Sequence, residues 1–339
     1  MAVTQIWEAA HRPFHWSRRP VGSRLQAEVC DDRAQNGRQR RPAGRGRRGP
    51  GGSWSGGVGL VGRCPGGGRA RRRRVGSQVF LVELDGERAV LKVTEDLGWV
   101  DRAARELAVY RNLAAFLDGF LPVVRATQQD PGGVRLLLAA LDPYPPATAL
   151  TDDAWVELAD RLGRLHRQPV PRPGWLNPRP WPSSEQVAAA VRVWAGHGVT
   201  DVARRAAHQL DTARTLLSPQ GTVLVHGDSH VGNLLRGPSG PVWADWQETH
   251  LSSGLDDLVF LWQRAEFDGA HPPRDTMTAA YTAARGLGVD AGLRSALAAS
   301  ELRLLLVSWS PFLGYGTADQ RRVMTGRLQQ LVDGWDAAT

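Results

Sequence analysis

Residues 225–235, with the sequence VHGDSHVGNLL, combine acidic, amide and imidazole side chains in one short predicted loop between apolar strands. Asp228 and Asn233 are five residues apart in this segment, and Asp245 follows twelve residues after Asn233, at the end of another predicted strand. Carboxylate and carboxamide oxygens are ligands that Mg²⁺ prefers, and a separate carboxylate can orient a hydroxyl group and accept its proton. These residue types suit phosphoryl transfer to a hydroxyl, in which developing charge on phosphate oxygens must be neutralised.

Lys92 is the second residue whose type indicates chemistry. It is the single lysine among 42 Lys and Arg residues, and it lies in the apolar, alternating run RAVLKV at 88–93. An ammonium is a compact point charge that fits between phosphate oxygens, whereas a guanidinium is a broad planar fork. One ammonium in a predicted strand favours a phosphate contact, as in the Val-Ala-Ile-Lys strand of kinases. Chance survival in an arginine-rich composition is the alternative.

The motif around Asp228 also matches a known family. The segment HGDSHVGN at 226–233 has the His-x-Asp-x-x-x-x-Asn spacing of a kinase catalytic loop. Together with ADW at 244–246, it resembles the aminoglycoside phosphotransferase and choline kinase group, the small-molecule branch of the eukaryotic-like kinase fold. Gly227 stands where protein kinases carry an arginine, as in that group. Further similar segments are RELAVYRNL at 105–113, LGRLH at 162–166 and GLDDL at 254–258.

The resemblance implies a role for each of five residues. Asp228 is the expected catalytic base, and Asn233 and Asp245 are the expected Mg²⁺ ligands. Lys92 is expected to anchor the phosphates of ATP or GTP, and Glu106 to form an ion pair with Lys92. A catalytically inactive kinase-fold binding protein that has kept these residues is the alternative.

The nucleotide site needs further residues from the first lobe. A kinase-type lid consists of two strands joined by a glycine-rich loop that covers the phosphates. Gly76 and Ser77 fit the second half of that loop, so Ser77 is expected to contact phosphate. The first strand would be residues 58–63, inside an otherwise irregular segment. The purine is expected to bind backbone groups at residues 138–141, around Ala140.

The acceptor is expected between the catalytic loop and the late helices. His230, Glu248, Glu266 and Asp268 are the candidate substrate contacts, because carboxylates there could bind ammonium groups; each is equally consistent with a structural or solvated residue. By resemblance, the acceptor is a small, cationic, polyhydroxylated molecule such as an aminoglycoside antibiotic, which would make the protein a resistance or self-protection enzyme. The alternative within the same chemistry is a metabolic kinase for choline, a sugar, homoserine or a glycated amine.

Three residues beside the motifs have other expected roles. His226 is expected to hydrogen-bond to backbone as a structural loop residue. Asp257 is expected to brace a helix and the catalytic loop rather than touch substrate. Of the 13 tryptophans, most are expected in the core, and Trp246 is the one expected to face the pocket.

The elements that position these residues predict an α+β protein with a two-lobed, protein-kinase-like fold. A small antiparallel β N-lobe is expected over residues 76–141, and a larger, mainly helical C-lobe over 142–339, after a proline-rich connector. N-lobe elements are expected at 78–84, 88–94, 101–117, 121–127 and 134–139, the first two joined as a hairpin by an Asp-Gly turn. Helices in the C-lobe are expected at 154–166, 185–195, 202–217, 255–267, 275–287, 291–308 and 318–336. Short strands are expected at 223–225, 234–235 and 242–244.

Composition limits the partners and the location. Residues 1–75 carry 17 arginines against four acidic residues, which leaves 25 basic and 30 acidic residues in the rest, so the net charge of +8 belongs to this extension. Its Gly, Pro and Arg follow no period, which predicts a disordered or artefactual segment with, at most, non-specific nucleic-acid contacts. No apolar run approaches the ~20 residues of a membrane span, and no secretory signal is apparent. Two cysteines exclude a disulfide scaffold, and the cytoplasm is the expected location.

Overall fold

The computed structural model describes residues 76–84, 86–96 and 98–338. The extension 1–75, including the strand expected at 58–63, lies outside these described residues. The first lobe begins with strands β1 (Gln78–Leu84) and β2 (Glu87–Thr94), which pair antiparallel. Gly86 has a φ of 80°, the left-handed conformation that a two-residue hairpin turn requires. The predicted hairpin is confirmed.

Strands β3 (Val124–Asp130) and β4 (Gly133–Ala139) complete a four-stranded antiparallel sheet with the order β1-β2-β4-β3. Strand β2 is therefore central, with β1 on one side and β4 on the other. Lys92 is paired with Val79 in β1 and with Leu136 in β4. A central strand holds its side chains rigidly in register, so the ammonium of Lys92 starts from a fixed backbone position.

Helix α1 (Val100–Asn112) packs on this sheet and buries its apolar face together with Glu106. It ends five residues before the predicted end at 117, and a 3₁₀ turn, Ala114–Phe116, follows. Leu113 and Leu117 on either side of this turn are fully buried. The tighter turn, which closes every three residues, keeps both leucines in the core.

The connector between the lobes is more ordered than its prolines predict. Strand β5 (Asp142–Pro143) pairs with strand β7 (Leu234–Gly237), which belongs to the second lobe. The Tyr144 N–H also donates to Leu234 O at 3.0 Å. Pro143 is tolerated here because β5 is an edge strand. The connector thus attaches directly to the chain segment that follows the catalytic loop.

Seven α-helices form most of the described part of the second lobe: α2 (Asp152–His166), α3 (Ser184–Ala195), α4 (Thr200–Leu217), α5 (Leu255–Phe267), α6 (Arg274–Arg285), α7 (Ala291–Arg303) and α8 (Ala318–Ala338). Side-chain caps set three of the starts: Thr151 accepts from Ala154 N, Ser183 forms a capping box with Gln186, and Asp290 accepts from Leu293 N. The helix predicted at 291–308 ends earlier. Its last turn, Leu304–Ser308, is a π-helical turn, a feature common at functional sites.

Two short hairpins complete the second lobe. Strand β6 (Val223–Val225) pairs with β9 (His250–Ser252), and β7 pairs with β8 (Gly240–Trp243). The catalytic loop joins β6 to β7. Strand β9 was not among the expected elements, because three residues are too few for an alternating pattern to be recognised. Only its pairing with β6 defines it.

Two hydrophobic cores support the lobes. One joins α1 and the sheet to α2, α5 and α6, and the other lies among α3, α4, α7 and α8. Trp155, Trp194 and Trp243 are fully buried, as expected for most tryptophans. Within the described residues, no helix has both the length and the apolarity required to cross a membrane.

Candidate active site

A buried ion cluster lies between the two lobes. Lys92 Nζ is 2.6 Å from Glu106 Oε2 and 2.9 Å from Asp245 Oδ1. Strand β2 supplies the lysine, α1 supplies the glutamate, and Asp245 lies just after β8. The side chains of Lys92 and Glu106 are 11% and 1% exposed, whereas that of Asp245 is 44% exposed. The structure therefore brings together three predicted residues, and the aspartate opens the cluster to solvent.

The charges in this cluster depend on one another. Burial by itself lowers the pKa of Lys92, but the carboxylates of Asp245 and Glu106 outweigh burial, and the net pKa is raised. Burial raises the pKa of Glu106, and the ammonium of Lys92 opposes that rise. Removing one member of a buried ion pair typically costs about 3–5 kcal/mol, because the remaining charge loses its partner. The ammonium is therefore held charged and oriented.

Gln247 connects the ion cluster to the start of the sheet. Its Nε2 donates to Ser77 Oγ at 3.2 Å and to Glu106 Oε2 at 3.4 Å. Ser77 Oγ also lies 2.6 Å from Thr94 Oγ1. Ser77 is thus near the predicted phosphate anchor, and its contact with phosphate stays a prediction. No sequence signal marks Gln247, because an isolated amide has no characteristic spacing.

The hairpin of β7 and β8 places Asn233 beside Asp245. Leu234 pairs with Trp243 at the open end of the hairpin, and Ala244 N–H donates to Asn233 O at 2.8 Å. Asn233 therefore precedes one strand where Asp245 follows the other. Asp245 has a φ of 65°, the one left-handed non-glycine conformation among the described residues. Such conformations cost about 1–3 kcal/mol and cluster at functional sites.

Asp228 is held as an ionised carboxylate. Asn233 Nδ2 donates to the carbonyl oxygen and to Oδ2 of Asp228, both at 2.9 Å. His230 Nδ1 accepts from Gly232 N at 3.1 Å, so its Nε2 carries the proton and faces Asp228 Oδ2 at 3.6 Å. Burial raises the pKa of Asp228, but His230, His226 and Asn233 more than offset it, and the pKa lies well below its ordinary value.

Asp257 braces the catalytic loop from the first turn of α5. Its Oδ2 accepts from His226 N at 2.7 Å, and its Oδ1 accepts from Gly227 N at 2.9 Å. His166 Nε2 lies 3.2 Å from Asp257 Oδ2. His226 Nε2 donates to Ala244 O at 2.9 Å, which ties the loop to the residue before Asp245. The brace predicted for Asp257 and the backbone hydrogen bond predicted for His226 are confirmed.

Gly227 is required by the backbone of the loop. Its φ is 82°, and a Cβ atom there would lie 2.1 Å from Glu248 O. A left-handed conformation and a backbone oxygen at that distance both exclude a side chain. The arginine that protein kinases carry at this point therefore has no room here.

Asn233 and Asp245 fit a magnesium ion. Asn233 directs its amide nitrogen toward Asp228, which leaves Oδ1 as the metal-binding end, and Asp245 uses Oδ1 for Lys92 and has Oδ2 for a metal. The described part of the chain contains no cluster of three or more His, Cys, Asp or Glu side chains able to hold a metal. Mg²⁺ is usually held by one or two protein oxygens together with water and substrate phosphates. Two protein ligands therefore fit this ion.

Ala140 lies directly after β4, at the edge of the lobe. Its N–H is 3.4 Å from Arg88 O, and the preceding Ala139 N–H donates to Val123 O at 2.8 Å. A purine contact through Ala140 would therefore use its carbonyl oxygen. This contact, and the lobe boundaries at 75/76 and 141/142, stay predictions.

The carboxylates predicted to bind an ammonium acceptor have arginine partners. The ion pairs are Glu248 with Arg102 (3.1 Å) and Arg179 (3.2 Å), Glu266 with Arg274 (2.5 Å) and Asp268 with Arg264 (2.9 Å). Glu266 is also nine residues along α5 from Asp257, or about 14 Å at the rise of an α-helix. The structure does not bring Glu266 and Asp268 to the catalytic loop, so an ammonium-binding role for them has no structural support.

Trp246 does not face the pocket, and that prediction is wrong. The side chain is fully buried, and its Nε1 donates to Trp243 O at 2.8 Å. Its ring packs edge-on against His226, with 4.8 Å between the ring centroids. An indole is stabilised in the core when its N–H has an acceptor, and the carbonyl of Trp243 provides one.

A small cavity beside Gly227 was not predicted from the sequence. Arg179, His250 and Arg303 line a small cavity against the catalytic loop. These residues come from three distant segments and have no characteristic spacing. No pattern in the sequence could bring them together before the fold was known.

The lobes, the ion cluster and the braced loop define a kinase-like fold of the small-molecule phosphotransferase type. The spectinomycin phosphotransferase APH(9)-Ia, solved with ADP and spectinomycin, is 16% identical, with a TM-score of 0.51 over 80% of this chain and 92% of that one. An aminoglycoside phosphotransferase from Alicyclobacillus acidocaldarius is 13% identical, with a TM-score of 0.55 over 80% and 91%. A choline/ethanolamine kinase family protein from Mesorhizobium loti is 15% identical, with a TM-score of 0.53 over 77% and 90%.

Sequence comparison identifies the family. No curated protein sequence matches the chain, but the profile of the phosphotransferase enzyme family, APH, matches residues 68–296. This match covers more than half of the chain and includes the ion cluster and the catalytic loop. The chain belongs to this family of phosphotransferases. The predicted resemblance and the two-lobed α+β fold are confirmed.

Proposed function

We propose that the protein transfers the γ-phosphate of ATP or GTP to a hydroxyl group of a small polyhydroxylated molecule. One observation carries the proposal. The buried Lys92–Glu106 pair meets Asp245 at the open end of the hairpin that also presents Asn233, next to the ionised carboxylate of Asp228. Phosphoryl transfer requires a fixed cation for the phosphates and a carboxylate for the nucleophile within one site.

In the proposed reaction the acceptor oxygen attacks the γ-phosphorus while the bond from that phosphorus to the β–γ bridging oxygen breaks. The nucleoside diphosphate leaves with the electron pair of that bond, and the hydroxyl proton passes to Asp228. The low pKa of Asp228 makes it a weak base. Its main contribution is therefore to orient the hydroxyl, which suits a transition state with little bond formation to the nucleophile. His230 and Asn233 hold the carboxylate in place.

The other predicted residues act on the nucleotide. The ammonium of Lys92 contacts phosphate oxygens and is oriented by Glu106, which Gln247 holds in turn. Asn233 and Asp245 would hold Mg²⁺, which would supply positive charge to the phosphate oxygens. Because the phosphate donor is a nucleoside triphosphate, the reaction belongs in the cytoplasm.

Two classes of acceptor are candidates for this reaction. An aminoglycoside acceptor would make the protein a resistance or self-protection enzyme, and choline, a sugar, homoserine or a glycated amine would make it a metabolic kinase. A panel of these acceptors with MgATP or MgGTP, read by release of nucleoside diphosphate, tests both. Absence of turnover on every aminoglycoside would remove the resistance role and leave the phosphotransferase role.

Asp228→Asn tests the site itself. The variant is expected to lose about 10²–10⁴ in kcat, because the neutral amide lacks the charge that orients the hydroxyl and cannot accept its proton. Its affinity for Mg-nucleotide, measured by calorimetry, is expected to stay at the wild-type value. Asp211→Asn, an exposed change on α4, is the matched control and is expected to keep both properties. Near-wild-type turnover in Asp228→Asn, or a wild-type protein that binds no nucleotide, would refute the proposed function.

A further inference from the structure

A small cavity lies against the catalytic loop, next to the residue that precedes Asp228. Its volume is about 40 Å³, and its polar lining includes Arg179, Gly227, His250, Asp256, Arg303 and Ser308. Roughly 10–15 Å³ of such water-accessible space already holds one water. The cavity therefore has room for a small polar group such as a carboxylate.

The carboxylates in the cavity wall are already saturated. Asp256 Oδ2 accepts from Ser252 Oγ at 2.6 Å, and Oδ1 accepts from Ser300 Oγ at 2.6 Å. Arg303 Nη2 also lies 2.5 Å from Asp256 Oδ1. Burial alone would raise the pKa of Asp256, but Arg303 and the two serines lower it to about 2. The carboxylate of Asp257 is likewise taken by two backbone N–H groups, so neither acid is set to attract an ammonium.

One cation in the same wall, Arg303, has a donor without a hydrogen-bond partner. The side chain of Arg303 is 9% exposed, and its Nε is buried with no hydrogen-bond partner. A buried donor without an acceptor destabilises the folded protein, and more so when it is charged. Arg179 stands at the same cavity with its side chain 36% exposed, and its one acidic contact, Glu248, is shared with Arg102. Two guanidinium groups thus line the cavity, and one donor of Arg303 has no acceptor among the described residues.

His250 adds a neutral hydrogen-bonding group. Its Nδ1 donates to Glu248 O at 2.8 Å, because a carbonyl oxygen can only accept, and Nε2 is left as the acceptor of the ring. Burial, followed by the cation of Arg179, lowers the pKa of His250 to about 4. The imidazole is therefore neutral at pH 7 and can accept a hydrogen bond from a hydroxyl group.

We propose that this cavity binds the carboxylate of the acceptor, so that the substrate class is a small hydroxy acid rather than a cationic polyol. The inference rests on the proposed function. Arg303 and Arg179 donate to the carboxylate, and Gly227 places the cavity one residue from Asp228. An acceptor anchored there presents its hydroxyl groups to the carboxylate that orients the nucleophile. Guanidinium groups suit this task because their planar forks match carboxylate geometry.

Matched acceptors test the substrate class. D-Glycerate is compared with glycerol, and D-gluconate with sorbitol and glucosamine, each with MgATP and a diphosphate-release readout. Each acid is expected to have a kcat/KM at least about tenfold higher than its neutral or cationic counterpart. The counterparts have no carboxylate, so they cannot form charge-assisted hydrogen bonds with the arginines. Thermal shifts with the same molecules in the presence of a non-hydrolysable Mg-ATP analogue give a readout that does not depend on turnover.

Variants test the site. Arg179→Gln, at the mouth of the cavity, and Arg303→Lys, which removes the Nε donor and keeps the charge beside Asp256, are each expected to raise KM for the acid at least about fivefold. Neither is expected to change KM for ATP. Arg172→Gln is the matched control, because this exposed arginine contacts Thr222 O and does not line the cavity. Circular dichroism and the melting temperature report whether Arg303→Lys folds.

The outcomes separate the two proposals. Faster transfer to glucosamine than to D-gluconate, or no thermal shift from either acid, would overturn the hydroxy-acid inference while leaving the phosphotransferase function intact. An acid whose KM is unchanged in both arginine variants would overturn this cavity as its binding site. Failure of the wild-type protein to bind Mg-nucleotide would instead refute the proposed function.

Discussion

Replacing Asp257 with asparagine tests whether one buried carboxylate holds the catalytic loop in place. Asp257 is 1% exposed and accepts two backbone N–H groups, from His226 at 2.7 Å and from Gly227 at 2.9 Å. An asparagine has the same shape but only one acceptor oxygen. One backbone N–H must therefore face an amide nitrogen, which donates and cannot accept.

The expected cost follows from these contacts. A buried donor left without an acceptor costs about 1–3 kcal/mol. The lost hydrogen bond, which had a charged acceptor, was worth about 1.5–3 kcal/mol. The two figures overlap, so the variant is expected to lose about 2–4 kcal/mol. For a protein of this size each kcal/mol lowers the melting temperature by about 2–4 °C, giving a decrease on the order of 10 °C.

Stability and turnover are measured on the same samples. Thermal and urea unfolding give the stability change, and diphosphate release below the melting temperature gives kcat. A decrease of about 10²-fold in kcat is expected, because a displacement of about 1 Å misplaces the group that orients the nucleophile. KM for ATP is expected to change little, since Lys92 and its partners lie on other elements.

Asp153→Asn is the matched control for helix electrostatics. Asp153 occupies the first turn of α2, as Asp257 occupies the first turn of α5, but it is exposed. Both changes remove a negative charge from a helix N-terminus, which is worth about 0.3–1 kcal/mol. Equal melting temperatures for the two variants, or an Asp257→Asn protein with wild-type kcat, would show that the brace is not what holds the loop.

Three further predictions follow from the site. Lys92→Arg is expected to lower kcat/KM for ATP at least about 100-fold, since a planar guanidinium cannot replace a compact ammonium held at 2.6 and 2.9 Å; turnover close to wild type would contradict this. Gly227→Ala is expected to lower the free energy of unfolding by about 3 kcal/mol, because the new Cβ would lie 2.1 Å from Glu248 O. Gly269 has a φ of 88° but open space around it. Gly269→Ala should therefore cost only the strain of a left-handed backbone, about 1–2 kcal/mol. Folding lowers the pKa of His250 from 6.5 to about 4. The folded state, with a neutral imidazole, is therefore favoured above pH 6.5. As the pH falls from 6.5 towards 4, the free energy of unfolding decreases by up to about 1.4 kcal/mol per pH unit. His250→Gln should flatten the stability profile between these pH values, and an unchanged profile from urea titrations would contradict the assignment.

Much of the fold could be predicted because its signals are local. The Asp-Gly turn defines the first hairpin, and apolar residues at helical spacing define α5, whose predicted bounds, 255–267, agree with the structure. Boundaries failed where packing decides them. The π-helical turn Leu304–Ser308 ends α7 early, and β9 exists only through its pairing with β6. Neither has a local signal.

The sequence by itself determined which residues are the candidates for the phosphate chemistry. The single lysine, the Asp-x-x-x-x-Asn spacing and the following Asp245 are defined by residue type and separation, and both are readable along a chain. Only the tertiary structure decided what surrounds them. Contacts between distant segments give Glu248 its arginine partners and bury Trp246. They also leave Arg303 Nε without a hydrogen-bond partner beside the catalytic loop. The charge of an acceptor pocket is a sum over such contacts, so it could be read only after the chain had folded.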